Sequence, residues 1–238
     1  MSEYTLTIEN MENDRFRQLS PRLLLEHCLS CLLSDLERDG CGGKAISEAA
    51  GAVWMLSHMR LTQSAPILPG DRLLIRTSPR MEKRCCYFFE TDIFRDDAPI
   101  AQLQTSFLPV NSRTRHIVRL SELAALWKAP PREVSPSPLH RLRPNDKFVP
   151  CGSDTVRFSD CDGNGHMTSG AYVSLVCDAL GFWESDSPRF MRMMQVDYSS
   201  EVYPGTLLRF ERGELDGLPC VRGIKPDGKT AFTAVCDF

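Results

Sequence analysis

The segment from Asp160 to Tyr172 holds side chains that can move protons. It reads Asp-Cys-Asp-Gly-Asn-Gly-His-Met-Thr-Ser-Gly-Ala-Tyr, with Asp162, Asn164 and His166 at alternate positions. An imidazole exchanges a proton near neutral pH, and a neighbouring carboxylate or amide can orient it or hold a water. Gly163 and Gly165 permit backbone geometry that other residues resist. Thr168 or Ser169 can cap a following helix, whose first N–H groups are free and form the positive end of its dipole. Such groups can stabilise a developing oxyanion. By spacing alone an ordinary Asp/Asn/Gly turn with a solvated histidine competes with this reading. A calcium loop fits less well, because Met167–Tyr172 lacks the acids that an EF-hand continues with. Cys161 is a rival nucleophile, but its position between Asp160 and Asp162 raises the thiol pKa, which is wrong for a thiolate.

The loop must be held between a strand and a helix. A short strand over Asp154–Phe158 precedes it, and Tyr172, Leu175, Val176, Ala179 and Trp183 follow at helical spacing. A second long helix starts at the Ser20–Pro21 cap, with Leu24, Cys28, Cys31 and Leu32 on one face. Strand-like runs follow each helix. They are Ala52–Leu61, Arg72–Ser78, Arg84–Phe94 and Ile100–Val110 in the first half, and Phe190–Tyr198, Leu207–Arg212, Cys220–Ile224 and Thr230–Cys236 in the second. Between the halves lies a stretch rich in Pro130, Pro131, Pro136, Pro138 and Pro144, which reads as an extended linker. The expected organisation is therefore 1–128, a linker at 129–144, and 145–238.

The halves echo each other. Met59–Leu73 lies over Met194–Leu208 at a constant offset of 135, with Met59/Met194, Ser64/Ser199, Pro69/Pro204 and Gly70/Gly205 identical. A long helix followed by an antiparallel meander is an α+β plan, the helix burying its apolar stripe on one sheet face. This is the hotdog arrangement. Two copies make a tandem, or double, hotdog whose sheets can join.

Composition narrows the function classes. The 238 residues are 42% hydrophobic and 25% charged, enough for a substantial core. With 28 basic and 31 acidic residues the formal net charge is −3, so no broad basic field exists for nucleic acid. No apolar run approaches the ~20 residues of a membrane helix. Met1–Asn10 has neither a signal-peptide nor a transit-peptide pattern, so a cytoplasmic, bacterial-type protein is expected. The ten cysteines are too sparse for a disulfide scaffold and fit a reducing compartment. Cys28 and Cys31 sit on a helical pattern with no partner pair at zinc spacing, so they are read as core.

The motif Asp-x-Asp-x-Asn-x-His, with Tyr172 six residues after the histidine, resembles the signature of acyl-acyl carrier protein (acyl-ACP) thioesterases. These are double-hotdog enzymes of fatty-acid synthesis. Trp54-Met-Leu-Ser-His-Met59 is similar to the family's Trp-Val-Leu-Ser-Arg stretch, and Val196–Val202 sits where the family has a strand ending in a catalytic acid. The resemblance implies catalytic roles for Asp162, Asn164, His166 and Glu201. The first half has Pro66 opposite Glu201 and no matching His loop, which implies one active site per chain. Thr168 and Ser169 replace the family's Asn pair, and Leu175 its aromatic residue.

The implied reaction is thioester hydrolysis with no metal or cofactor. Glu201 or His166 activates water, Asn164 holds the water or the carbonyl, and Asp162 orients His166. Backbone N–H groups at the start of the helix, near Gly165 to Met167, polarise the carbonyl. Trp54, Met55 and Met59, with Leu24 and Cys28, are candidates for lining an acyl tunnel in the first half. The implied partner is acyl carrier protein, itself acidic. Three basic clusters can steer it: Arg113, Arg115, His116 and Arg119; Arg141, Arg143 and Lys147; and Arg80, Lys83 and Arg84. The alternatives are an acyl-CoA thioesterase and a non-catalytic acyl-binding hotdog. Monomer and homodimer are both compatible with the sequence.

Overall fold

Apolar alternation in two strand series builds one continuous sheet. The computed structural model describes residues 2–82, 86–128, 132–133, 139–145, 147–184, 186 and 188–238, with backbone alone at 79–82 and 132–133. The first series comprises β1 (Ser2–Thr7), α1 (Pro21–Arg38), α2 (Gly43–Ala50), β2 (Ala52–Gln63), β3 (Arg72–Glu82), β4 (Cys86–Arg95) and β5 (Ala98–Asn111). After β6 (Arg132–Glu133), the second comprises β7 (Val149–Thr155), α3 (Ser169–Ala179), β8 (Met193–Tyr198), β9 (Leu207–Leu215), β10 (Leu218–Ile224) and β11 (Thr230–Asp237).

The strand order is β1-β3-β4-β5-β2-β8-β11-β10-β9-β7, with β6 beside β3. It is a palindrome about the β2–β8 pair. Each strand of the first series has its counterpart at the mirror position, β1 with β7, β2 with β8, β5 with β11, which is the tandem hotdog expected from the repeat. All pairs but β3–β6 are antiparallel.

Both long helices pack on the same sheet face. Leu24, Leu25 and Cys28 of α1 and Tyr172, Val173 and Val176 of α3 share one core with Met59, Leu61, Met194 and Val196 from the two central strands. The caps are those read from the sequence. Ser20 Oγ accepts from Leu23 N–H at 3.2 Å, and Thr168 Oγ1 from Ala171 N–H at 3.1 Å. A second apolar cluster lies under the end of α1 and α2, with Leu32, Leu36, Ile46, Phe89, Phe107 and Leu123. Among the described residues no helix is long and apolar enough to cross a membrane.

Several expectations shift. The strand before the His loop occupies Val149–Thr155, and Phe158 lies instead in a single 3-10 turn. Trp183 is beyond α3 and half exposed, because the helix ends at Ala179 and Gly181 turns with φ +66°. β1 and α2 were not expected from the sequence. Of the linker, Pro130, Pro131, Pro136 and Pro138 lie outside the described residues, as do Lys83 and Arg84 and the Arg80 side chain. The linker's end crosses the outer sheet face. There His140 O accepts from Gln195 Nε2 at 2.7 Å, and Leu142 N–H donates to Asp197 at 2.6 Å. Asp197 in turn meets His58 Nδ1 at 2.9 Å, so a buried carboxylate ties the two half-sheets and the linker together.

Met59 pairs with Val196 at the centre of the sheet and is fully buried. Met59→Ala is expected to cost about 2–5 kcal/mol in urea unfolding, by lost burial plus a cavity. A loss below about 1 kcal/mol would mean that the two half-sheets repack freely across their join.

Candidate active site

The His loop is a tight, self-bonded turn. Cys161 and Met167 form an antiparallel bridge across its base. Asp162 N–H donates to His166 O at 3.0 Å, and Gly165 N–H to Asp162 O at 2.9 Å. Gly165 has φ +78°, a conformation that favours glycine. The Asp162 carboxylate accepts from Asn164 N–H at 2.8 Å and from Asn164 Nδ2 at 3.2 Å. The Asp162 carboxylate therefore fixes Asn164, and among the described residues no hydrogen bond links that carboxylate to the His166 ring. The turn aims His166 inward, where its side chain is 26% exposed.

Glu201 reaches the same place from beyond β8, three residues after that strand ends at Tyr198. His166 Nε2 and Glu201 Oε2 are 3.7 Å apart, beyond a direct hydrogen bond. Both Glu201 oxygens are engaged by Arg115, at 2.8 and 2.6 Å, in a bidentate ion pair. Tyr203 Oη donates to Oε2 at 3.1 Å, and the Tyr203 ring packs edge-on to His166 with centroids 5.0 Å apart. Lys225 Nζ lies 3.5 Å from the Glu201 carbonyl oxygen.

His166, Glu201 and Arg115 line a cavity of about 490 Å³ with Asp162, Asn164, Met167, Ser169, Tyr172, Tyr198 and the β2 residues Val53–Ser57. The cavity exists because the central strands part company. β2 pairs with β8 over His58–Thr62 only, whereas it follows β5 back to Ala52. Trp54 and Met55 thus lie on the wall, whereas Met59 is in the core and not on the wall. The Trp54 indole donates to Cys41 O at 2.8 Å and stacks near Tyr87, anchoring this wall to the first half.

The N–H groups of the expected oxyanion stretch differ among themselves. Gly165 N–H is bonded to Asp162 O, and Met167 N–H to Val202 O at 2.9 Å, so neither is open. Among the described residues the N–H groups of His166, Ser169 and Gly170 have no partner. Of these residues, His166 and Ser169 line the cavity, Ser169 as the first residue of α3.

Residues 152–234 match the family model described as "Acyl-ACP thioesterase C-terminal domain". That match covers about a third of the chain, so it is the second half that is similar to this family. The fold of the chain is similar to an acyl-ACP thioesterase from Bacteroides thetaiotaomicron, with TM-score 0.82, 19% identity and coverage of 99% of this chain and 96% of that one. It is similar also to the 12:0-ACP thioesterase from Umbellularia californica, with TM-score 0.81, 15% identity and the same coverages, 99% and 96%. No curated protein matches the sequence.

Two groups of this site were not singled out for it from the sequence. Arg115 was read as part of a basic surface cluster; its side chain stays 45% exposed but reaches across to Glu201, while Arg113, His116 and Arg119 are exposed as well. Tyr203 carried no signal beyond its place two residues after Glu201. Burial, then its bond to Glu201, pushes the Tyr203 hydroxyl above its ordinary range, so it serves as a neutral donor. Burial likewise raises Tyr172, with Glu201 adding to it. The Cys161 thiol is pushed up by burial, then by Asp160 and Asp162, and its Sγ lies 3.6 Å from Arg157 O. A thiolate nucleophile is disfavoured there, as the flanking acids implied.

Proposed function

We propose that this protein hydrolyses the thioester of acyl-ACP, releasing a free fatty acid and the carrier's thiol. The observation that carries the reading is the meeting of His166 and Glu201, from separate elements, on the wall of one cavity. Water held between them adds to the thioester carbon, and its proton passes to the base. The C–S bond then breaks, and the thiolate leaves with that proton. Glu201 already accepts three hydrogen bonds, whereas the His166 ring has none among the described residues, so His166 is assigned as the base. Glu201 supplies the charge that favours the resulting imidazolium. Asn164, held by Asp162, places its amide toward the water or the carbonyl. The Ser169 N–H at the start of α3 faces the developing oxyanion.

The two repeats divide the work. The second half carries the proton chemistry, and the first supplies Arg115, the β2 wall and the apolar cluster beneath α1 and α2. An acyl chain passing Leu56 and Trp54 enters that cluster, where Leu32, Leu36, Phe89 and Phe107 pack. Arg113, exposed between the cavity-lining Ser112 and Arg115, suits an acidic carrier by charge, as does the exposed Arg119.

Free-thiol release from a panel of acyl-ACPs and acyl-CoAs tests the reading. Release from acyl-ACP, with kcat/KM falling as ionic strength rises, is the expected result. Release from acyl-CoA alone would keep the chemistry and reject the carrier. Acyl binding with no turnover on either would reject hydrolysis.

A further inference from the structure

The wall of the cavity includes a strand edge that has no partner. The β2–β5 register sets Ala52 opposite Asn111, Trp54 opposite Pro109 and Leu56 opposite Phe107. Pro109 O accepts from Val118 N–H at 2.8 Å, and Asn111 N–H donates to His116 O at 2.9 Å, so both residues point their polar groups away from β2. In an antiparallel ladder the residues opposite them occupy non-hydrogen-bonded pairs, with N–H and C=O directed to the other side. Phe107, in step with Pro109 and Asn111, leaves Leu56 turned likewise. That other side is where β8 would continue, and β8 pairs no further than His58. A bulge at Ser57, whose Oγ donates to Ser106 O at 2.9 Å, keeps Trp54 and Leu56 in this phase. Among the described residues no group hydrogen-bonds the main-chain N–H or C=O of Trp54 and Leu56.

Buried or half-buried main-chain groups are almost always paired, and an open edge is a template for another extended chain. Val53–Ser57 all line the catalytic cavity and are half-buried. The stretch runs from Ser57, next to the join with β8, to Val53, beside Val110 and Ser112 at the rim.

We propose that the Trp54–Leu56 edge is the subsite for the amide-bearing arm of the thioester substrate, which pairs there as an added strand. This rests on the thioesterase reading, since the phosphopantetheine arm of a carrier or of CoA is a linear chain with two secondary amides. Each amide offers one donor and one acceptor, matching the alternating N–H and C=O groups of the edge. Main-chain pairing recognises the arm whatever acyl group it bears. It also sets the arm in the plane of the sheet, so the acyl chain can turn down toward the apolar cluster while the thioester carbon lies between His166 and Glu201.

Binding of non-hydrolysable S-alkyl 4′-phosphopantetheine thioethers tests this separately from catalysis. Three probes share one alkyl chain: the natural arm, and two arms in which one amide N–H is replaced by an ester oxygen. Calorimetry with the unaltered protein is expected to show each ester arm binding roughly 3- to 10-fold more weakly, the size of one neutral hydrogen bond. Equal affinities for the three arms would overturn the proposal while leaving hydrolysis standing. Weaker ester arms in a protein that releases no thiol would reject the hydrolase reading and keep the subsite. On the protein side, Leu56→Pro removes an N–H that the β5 ladder does not use, a position where an edge strand tolerates proline. Against a Leu56→Ala control, it should bind the natural arm more weakly and lose discrimination against one of the two ester arms. Retained discrimination against both in a folded Leu56→Pro protein would also overturn the proposal.

Discussion

Glu201→Gln is expected to lower kcat for thioester hydrolysis by about 10²–10⁴-fold, and His166→Ala by at least as much, with KM changed little. The glutamine keeps the shape and one acceptor, but removes the charge that favours a protonated His166 3.7 Å away. It also leaves the Arg115 guanidinium facing a neutral amide. The double variant should lose scarcely more than the worse single one, because two groups acting on one proton are not additive. Single-turnover thiol release with the four proteins checks this. If the two losses multiplied, the residues would serve separate steps. A Glu201→Gln protein with near wild-type kcat would remove Glu201 from the chemistry altogether.

Asp162 should behave differently. Its carboxylate is spent on Asn164, so its effect is transmitted through that amide and not through the imidazole. The alternation of Asp162, Asn164 and His166 brought these side chains to one cavity, and that much was legible in the sequence. Which of them bond one another was not. In a turn of this kind the shorter path wins, and the aspartate captures the amide two residues on. The same limit explains the oxyanion donors. Gly165 and Met167 looked open because sequence does not show that Asp162 O and Val202 O already occupy them.

The palindromic sheet was legible because the repeat at offset 135 carries the central strands and their Pro-Gly turns. β1 was not, because an outermost strand covered on one face only shows short, weak alternation, here half-buried and exposed in turn over Ser2–Thr7. β7, the opposite outermost strand, is mostly exposed and includes Pro150 and Gly152, so its pattern is too faint to set its bounds. Glu201 was reached through resemblance, and Arg115 lies 86 residues from it in the chain. No local pattern marks an arginine that becomes functional only when the first half folds against the second.

That arginine supports the second large effect. Arg115→Ala is expected to lower kcat by roughly 10- to 100-fold at neutral pH, the scale for misplacing a reacting group by about an ångström. The first consequence is positional. Glu201 loses two charge-assisted bonds and, among the described residues, keeps only the Tyr203 hydroxyl on its carboxylate, with Lys225 at its main-chain carbonyl. The second is electrostatic. A carboxylate no longer shared with a guanidinium favours the protonated form of the imidazole beside it, and a protonated His166 cannot accept water's proton. The acid limb of the kcat profile should therefore move to higher pH, with part of the lost activity returning as pH rises. Tyr172 and Tyr203, both held protonated by burial, stay neutral through this range and do not mask the shift. Arg115→Lys separates the two effects. It restores a positive charge but not the planar fork, so the limb should return toward its wild-type position while kcat recovers only partly. A lowered kcat with an unmoved limb in Arg115→Ala would make Arg115 a merely structural support. An unchanged kcat would mean that Glu201 needs no help from the first half of the chain.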